Sequence, residues 1–177
     1  MAGATPSTEV KENFCSDGIV WLSPKDLTAS GRKFISKGET DITETGYKSC
    51  STKLMPKGTV LLTSRAPVGT VAIATVELCT NQGFKSIVPK KELGTEFVYY
   101  FLKENKALLD SHSSGTTFME ISGSVLKSIP AFIPSEKALN AFRDACRPAF
   151  EVQKQNEIEI QQLYELQQVL IARISSR

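Results

Sequence analysis

The chain has 177 residues, of which 41% are hydrophobic and 23% are charged, and its formal net charge is +2. This composition is ordinary for a soluble globular protein. No apolar run approaches the roughly 20 residues that cross a bilayer, and the N-terminus lacks the pattern of a secretory signal, so we exclude a membrane protein and expect a cytoplasmic one.

The first part of the chain has the pattern of β-structure. Between Trp21 and Val88, short apolar runs rich in β-branched residues alternate with Gly, Pro, Ser and Thr, which is typical of strands and their turns. We predict strands in three of these runs: GTVLLTS (58–64), VGTVAIATVEL (68–78) and FKSIVP (84–89).

A helical pattern follows. From Gly94 to Ser111, large apolar residues recur near three-to-four spacing, which predicts a helix with Thr95 as its N-cap. The segment SHSSGTTF (111–118) is a polar loop, and VLKSIPAFIP (125–134) predicts a short apolar strand that ends at prolines.

The tail has a different composition. From Ser135 onward there is no glycine, and helix-forming residues dominate. We predict a first helix with Ser135 as N-cap and with Leu139, Phe142 and Cys146 on its apolar side. Pro148 lacks an N–H group, so it should kink or restart the helix there. The second run, from residue 149 to about residue 175, would be roughly 40 Å long.

An apolar stripe marks that second run. It consists of Ile160, Leu163, Leu166, Leu170 and Ile174, spaced close to a heptad seam. One helix cannot bury its own stripe, so we expect a partner helix. Asn156 lies on the same line and either fixes the register of that pairing or faces water. The fold class is therefore α+β, with a mixed α/β body (1–134) and a long helical tail (135–177).

The sequence contains few residues or motifs that are typical of catalytic sites. The chain lacks a phosphate-binding GxxxxGK loop, a GxGxxG loop and a GxSxG elbow, the usual motifs of nucleotide-binding and hydrolytic enzymes. It has one histidine, His112, and four scattered cysteines without a CxxC pair: Cys15, Cys50, Cys79 and Cys146. Zinc sites and disulfide frameworks use tighter spacing, so we expect four free thiols, no metal and no enzyme.

Several segments, taken together in their order, point to one family. They are TPS (5–7), IVWLSPKDL (19–27), ITETGYKSCSTKLMPKGTVLLTSRAPVGTVAIA (42–74), CTNQGFKSIVP (79–89), YYFLK (99–103), SGTTFMEISGSVLKSIPAFIP (114–134) and the closing helix. Over nearly its whole length, the chain resembles the target recognition domain and spacer helix of a type I restriction-modification specificity subunit.

The resemblance implies a non-catalytic reader of double-stranded DNA. Such subunits usually carry two recognition domains, each followed by a long helix, and the two helices pack antiparallel. A methyltransferase subunit, which uses S-adenosylmethionine, methylates adenine, and a restriction and motor subunit joins for cleavage. This chain holds one domain and one helix, so it is either a half-subunit that forms a homodimer through the C-terminal helix or a fragment of a longer subunit.

Basic charge is concentrated where DNA contact is expected. Region 25–65 has eight basic and four acidic residues, whereas region 136–177 has six of each. We expect DNA contacts from this region, from residues 81–82 and from the loop 113–117, where small residues let backbone amides approach a phosphate. The candidates are Lys25, Arg32, Lys33, Lys37, Tyr47, Lys48, Ser64, Arg65, Asn81, Gln82, Ser114, Thr116 and Thr117.

Structural roles compete with these assignments. Arg65 could instead pair with Asp41 or Glu44, Tyr47 could be a half-buried loop residue, and the loop 113–117 could simply be flexible. In Asn81-Gln82-Gly83-Phe84, two adjacent amides suit adenine readout, but readers of different targets share this motif. A scaffold role is therefore favoured, in which Gly83 permits a turn, Phe84 packs, and the amides brace loops or touch the DNA backbone.

A second function stays open at this stage. The same tail could pair with a methyltransferase or a complete specificity subunit without any DNA reading by the body, which would make the chain an assembly or inhibitory module.

Overall fold

We describe the fold from a computed structural model, which places residues 1–65, 67–115 and 119–175. These residues form seven strands and six α-helices. The strands are β1 (Phe14–Cys15), β2 (Ile19–Leu22), β3 (Phe34–Ile35), β4 (Asp41–Ile42), β5 (Val60–Leu62), β6 (Val71–Ala74) and β7 (Cys79–Thr80). The helices are α1 (Pro24–Ser30), α2 (Glu44–Lys48), α3 (Gly94–Glu104), α4 (Lys106–Ser111), α5 (Gly123–Ser128) and α6 (Glu136–Ser175).

The strands form two small mixed sheets. One has the order β1-β4-β2-β7, in which β2 runs antiparallel to β4 and parallel to β7. The other has the order β3-β6-β5, in which β6 runs parallel to β3 and antiparallel to β5. Together with the helices they confirm the predicted α+β class.

Local signals set both ends of α1, which lies in the chain between β2 and β3. The Ser23 N–H donates to Asp26 Oδ2 at 2.7 Å, and Pro24 occupies the first turn, where its missing N–H costs nothing. Gly31 ends the helix in the left-handed region, with φ of 61°, which glycine adopts without steric cost. The exit of α1 therefore leads directly into Arg32, Lys33 and β3.

Two apolar cores hold the body together. One lies under α1 and contains Leu22, Leu27, Leu61 and Phe84. The other joins β5 and β6 to α3 and includes Phe150 from α6. The tail helix is thus part of the body's core and not only an appendage.

Three expectations for the body need correction. Segment 84–89 makes only isolated bridges, Thr63 with Phe84 and Val60 with Ile87. Segment 125–134 is not a strand, because the Ser122 hydroxyl accepts from the Val125 N–H at 3.2 Å and starts α5. Thr95 is not the N-cap of α3, which is Leu93.

The helical pattern at 94–111 contains two helices, α3 and α4, separated at Asn105. In the tail, two helices separated at Pro148 were predicted, and this is wrong, because α6 continues through Pro148 as one helix of 40 residues. Pro148 removes one backbone hydrogen bond, but Leu139 and Phe150, on either side of it, are both buried against the body, and this packing keeps one helix. Ser135 does cap the start of α6, since its hydroxyl accepts from the Ala138 N–H at 3.4 Å.

Candidate nucleic-acid interface

The run Asn81–Phe84 is a braced turn. Asn81 Oδ1 accepts from the Gly83 N–H at 2.8 Å, and Gln82 Oε1 accepts from the Thr5 hydroxyl at 2.7 Å. A Cβ on Gly83 would lie 2.6 Å from Pro24 Cγ, so close approach, and not a left-handed backbone, requires glycine here. Phe84 is fully buried. The geometry fits the scaffold role, and DNA contact by the two amides remains a prediction.

Arg32 and Lys33 lie where the body meets α6. The Arg32 guanidinium donates to Gln161 Oε1, and Lys33 Nζ donates to Gln153 Oε1 at 2.7 Å. Glu157 fixes the same contact from the helix side, because its carboxylate accepts the backbone N–H groups of Lys33 at 3.2 Å and Phe34 at 2.9 Å. Both basic side chains are therefore already engaged in holding the helix.

The Lys33 ammonium sits among aromatic rings. Its Nζ lies 3.2 Å from the ring centroid of Phe150 and 4.8 Å from that of Tyr99, and cation–π attraction favours the charged form there. Burial acts against the charge and, with the nearby Lys103 ammonium, lowers the pKa of Lys33 to about 8. Lys33 is thus a structural cation between body and helix.

Arg65 belongs to a charged cluster at the end of β5. Arg65 Nη1 lies 4.0 Å and Lys85 Nζ lies 3.7 Å from the Glu120 carboxylate. Residues 65 and 120 also form an isolated antiparallel bridge, as do Ser114 and Glu120. The ion pair that we weighed against DNA contact does form, but its partner is Glu120 and neither Asp41 nor Glu44.

Ser64 lies inside the protein. It is fully buried, its N–H donates to the Gly83 carbonyl at 2.8 Å, and its hydroxyl accepts from Lys85 at 3.4 Å. A side chain without exposed surface cannot touch DNA, so Ser64 is withdrawn as a DNA contact. It positions Arg65 at the surface instead.

The other basic candidates are exposed and weakly paired. Lys25 is 2.8 Å from Glu39, and Lys48 is 3.7 Å from Glu44, with all four side chains largely in solvent. Lys37 Nζ donates to the Ser16 carbonyl at 2.9 Å and lies 4.0 Å from the carboxylate of Asp41, which is buried. Exposed ion pairs contribute little stability, so Lys25 and Lys48 can exchange their partners for phosphates. Tyr47 is half-buried on α2.

The loop after α4 is described in part. Ser114 is exposed and exchanges two backbone hydrogen bonds with Glu120, at 3.0 and 2.9 Å. Thr116 and Thr117 lie outside the described residues. The described part of the loop therefore stands beside the Arg65 cluster.

The predicted stripe on α6 faces solvent. Ile160, Leu163, Leu166, Leu170 and Ile174 are each between 48% and 74% exposed, and Asn156 is exposed as well. A row of large apolar residues in water marks an interaction surface. Pairing through the stripe remains a prediction.

Sequence reasoning missed Lys85, Glu120, Gln153 and Glu157. Lys85 directly follows the braced turn, and its basic charge was a usable signal. Glu157 acts on a backbone 124 residues away, and no local pattern announces such a contact. The four cysteines are free thiols, as predicted. Within the described ranges, no group of three or more His, Cys, Asp or Glu side chains could hold a metal ion.

Comparison with known proteins gives the family. Residues 2–174 match the family model described as "Type I restriction modification DNA specificity domain". The chain belongs to this family of type I specificity domains. As a specificity domain of type I restriction-modification systems, it bears out the resemblance found in its sequence.

Two curated relatives show how much of such a protein is present. The chain is 44% identical over 165 residues to the "Type I restriction enzyme MjaIX specificity subunit" of Methanocaldococcus jannaschii, covering 88% of this chain and 37% of the relative. It is 29% identical over 177 residues to the "Type I restriction enzyme HindI specificity subunit" of Haemophilus influenzae, and the alignment covers 98% of this chain and 38% of that relative. This specificity domain thus spans less than two fifths of the length of either relative.

Solved structures agree on the fold. One chain, from a structure described as "Structural basis underlying complex assembly and conformational transition of the type I R-M system", aligns with a TM-score of 0.58 and 20% identity over 92% of this chain and 40% of that chain. The HsdS subunit from Thermoanaerobacter tengcongensis aligns with a TM-score of 0.53 and 18% identity, over 92% of this chain and 39% of that chain.

Among the helices of the described residues, none combines the length and the apolar composition that a membrane span requires.

Proposed function

We propose that this chain reads one half of a split DNA target for a type I restriction-modification complex, and that partner subunits methylate and cleave the DNA. The observation that carries this proposal is the family match over nearly the whole chain. In this proposal the chain contributes recognition and no reaction step, and S-adenosylmethionine binds to the methyltransferase subunit.

The reading surface is centred on Arg65. Arg65 lies three residues after the end of β5, where its neighbour Ser64 is buried and its backbone bridges to Glu120, so its backbone is held in place. The pairing with Glu120 at 4.0 Å is long, which leaves the guanidinium free to turn toward a guanine edge, the commonest specific base contact. Lys25, Lys37 and Lys48 supply exposed charges for phosphates, contacts that position the duplex without reading sequence.

Arg32 and Lys33 have a different role in this proposal. Their hydrogen bonds to Gln161 and Gln153 attach α6 to the body. They fix the direction in which the helix leaves the reading surface, and they contact DNA only if those bonds are exchanged.

The exposed stripe of α6 pairs with the same stripe of a second copy. A two-fold axis relates the copies in such a homodimer, so the two half-targets are the same sequence in inverted order. The distance between the half-targets is then set by the length of the paired helices. The methyltransferase and the restriction and motor subunit assemble on this pair.

The test is to co-express the chain with a methyltransferase subunit of its system and to map adenine methylation across the host chromosome. A split motif with inverted identical halves is expected. Unlike halves would mean that a second, different recognition domain supplies one half. DNA binding by the purified chain that does not weaken as salt rises would contradict the phosphate contacts.

A further inference from the structure

A cleft rich in basic side chains lies between the body and α6. It has a volume of about 540 Å³, and its lining residues come from the exit of α1, the connection into β6, the helices α3 and α4, and the middle of α6. Its described lining includes one carboxylate, Glu157, against four cations: Arg32, Lys33, Lys103 and Lys106. This excess of positive charge in a concave site favours an anionic ligand.

Lys103 is the least compensated of these cations. It is exposed in the last turn of α3, and its Nζ lies 5.7 Å from the ring centroid of Tyr99. Within the described part of the chain it forms no ion pair. Burial and then the charge of Lys103 lower the pKa of Lys33 to about 8. The two ammonium groups therefore repel each other, and an anion bound in the cleft would offset this repulsion.

Lys106 extends the positive charge of the cleft to the turn between β5 and β6. A Cβ on Gly69 in that turn would lie 3.3 Å from Lys106 Cγ and 3.6 Å from its Nζ, so the lysine side chain runs close to the turn. Its ammonium pairs with Asp110 at 2.7 Å, and both side chains are about half exposed. Exposed ion pairs contribute little stability, so a phosphate can take the place of this carboxylate.

The same turn connects the cleft to the Arg65 cluster. The Thr63 N–H donates to the Thr70 carbonyl at 2.9 Å, and the Gly69 N–H donates to the Thr63 carbonyl at 3.0 Å. Arg65 lies on the first limb of the turn, and Gly69 lies on the second limb beside Lys106. Basic side chains therefore flank the turn on both sides, between the reading surface and α6.

The position of the cleft favours a DNA backbone as its ligand. In the proposed function, Arg65 contacts the half-target and α6 spans the distance to the other half-target, so the duplex passes the cleft as it leaves the half-target along the helix. Double-stranded DNA carries one charge per roughly 1.7 Å of its axis, so it presents several phosphates to such a row of cations. The side-chain amides of Gln153 and Asn156 line the α6 side of the cleft and supply further donors.

We propose that this cleft binds the sugar-phosphate backbone of the spacer DNA next to the half-target, with Lys103 and Lys106 as the main contacts. Lys33 adds its charge from inside the cleft while it stays bonded to Gln153. Phosphate contacts position a duplex without reading its sequence, so the cleft holds the spacer beside α6 whatever its bases. This inference rests on the proposed function, because it assumes that DNA lies at Arg65.

The salt dependence of binding to a duplex of arbitrary sequence tests the contact without knowledge of the target. Each lysine that loses its phosphate should reduce the slope of log affinity against log salt by about one, so Lys103→Gln combined with Lys106→Gln should reduce it by about two. Lys90→Gln combined with Lys91→Gln is the matched control, because both residues are exposed and precede α3, at the end of that helix opposite to Lys103. Equal slopes for the two double variants would overturn the proposal.

Ethylation interference locates the contact on the DNA. The duplex carries the half-target found by methylation mapping and about ten base pairs, one helical turn, on each side. Ethylated phosphates on the spacer side should weaken binding of the native chain, and this effect should disappear in the double variant of Lys103 and Lys106. Interference confined to the half-target and its outer flank would contradict the assignment.

Calorimetric titration with pyrophosphate separates DNA from a small phosphate ligand. Pyrophosphate binding that the double variant of Lys103 and Lys106 loses, without any change in the salt slope, would make the cleft a small-anion site and refute the DNA contact. If the native chain binds its half-target, Arg65→Ala weakens that binding and the lysine variants match their control, the cleft alone is refuted. A native chain that binds no DNA refutes the proposed function as well.

Discussion

The two halves of α6 have opposite surroundings. In the near half, Leu139 and Phe150 are 4% and 6% exposed against the body, whereas Leu163 and Ile174 in the far half are 58% and 74% exposed. The buried residues and the exposed stripe lie on different sides of one continuous helix. Helices in proteins owe most of their stability to packing of an apolar face. The near half is therefore stabilised by the body, whereas the apolar face of the far half is not packed against the body.

Removing the near anchor should have the largest effect. Phe150→Ala is expected to lower the free energy of unfolding by about 3–5 kcal/mol, the usual loss for a buried Phe, because Phe150 packs edge-on against Phe34 and Tyr99. Urea unfolding measures this value.

The matched far-half variant is Leu166→Ala. At protein concentrations too low for association, it should change the free energy of unfolding by no more than about 0.5 kcal/mol, as exposed sites usually do. Equal losses for the two variants would erase the contrast between the halves.

A smaller loss is expected from the polar side of the anchor. Glu157→Ala leaves the N–H groups of Lys33 and Phe34 without their acceptor, and it should destabilise the chain by about 1–3 kcal/mol. Glu159→Ala, two residues away on an exposed position, is the control. A Glu157 variant as stable as the Glu159 variant would show that the carboxylate does not hold the junction.

Substitutions in the body and in the far half of the helix should also differ in their effect on DNA affinity. Arg65→Ala is expected to weaken specific binding by about 1–3 kcal/mol, the size of one good base contact. Ile174→Asp should leave the affinity of one copy for one half-target unchanged. Titration of a labelled half-target duplex measures both, and an Arg65 variant with full affinity would limit Arg65 to its pairing with Glu120.

The stability of the chain should also depend on pH. Lys33 has a folded-state pKa of about 8, below its ordinary value of 10.5. Between these values the unfolded chain binds more protons, so the stability contribution rises with pH from about 8 and is constant below it. The free energy of unfolding, measured as a function of pH, should therefore rise above pH 8 for the native chain relative to Lys33→Met. Parallel curves would place the Lys33 ammonium in solvent.

The sequence predicted what depends on local patterns. The strands at β5 and β6, the start of α6 at Ser135 and the exposed stripe follow from periodicity and capping, which act within a few residues. Resemblance supplied the family before any geometry was known. The turn at residues 81–84 was also anticipated as scaffold, although the reason for Gly83 is its contact with Pro24.

Contacts between distant segments were not predictable. Pro148 argued for a break in the tail, but burial of Phe150 outweighs one lost hydrogen bond. Arg32 and Lys33 had the composition of DNA-binding residues, and only the folded chain shows that α6 already engages them. Ser64 was named together with Arg65, although side chains of adjacent residues in an extended segment point to opposite sides, so this error could have been avoided from the sequence.

Glu157 also has a consequence for solubility. Its carboxylate accepts from the N–H groups of Lys33 and Phe34, which lie just before β3 and at its first residue, and β3 is an outer strand of its sheet. Unoccupied groups on such a strand form a template on which further chains can add and aggregate. The part of α6 that packs on the body therefore covers the open edge of β3. Its detachment would expose the N–H groups of that edge together with the aromatic rings beneath.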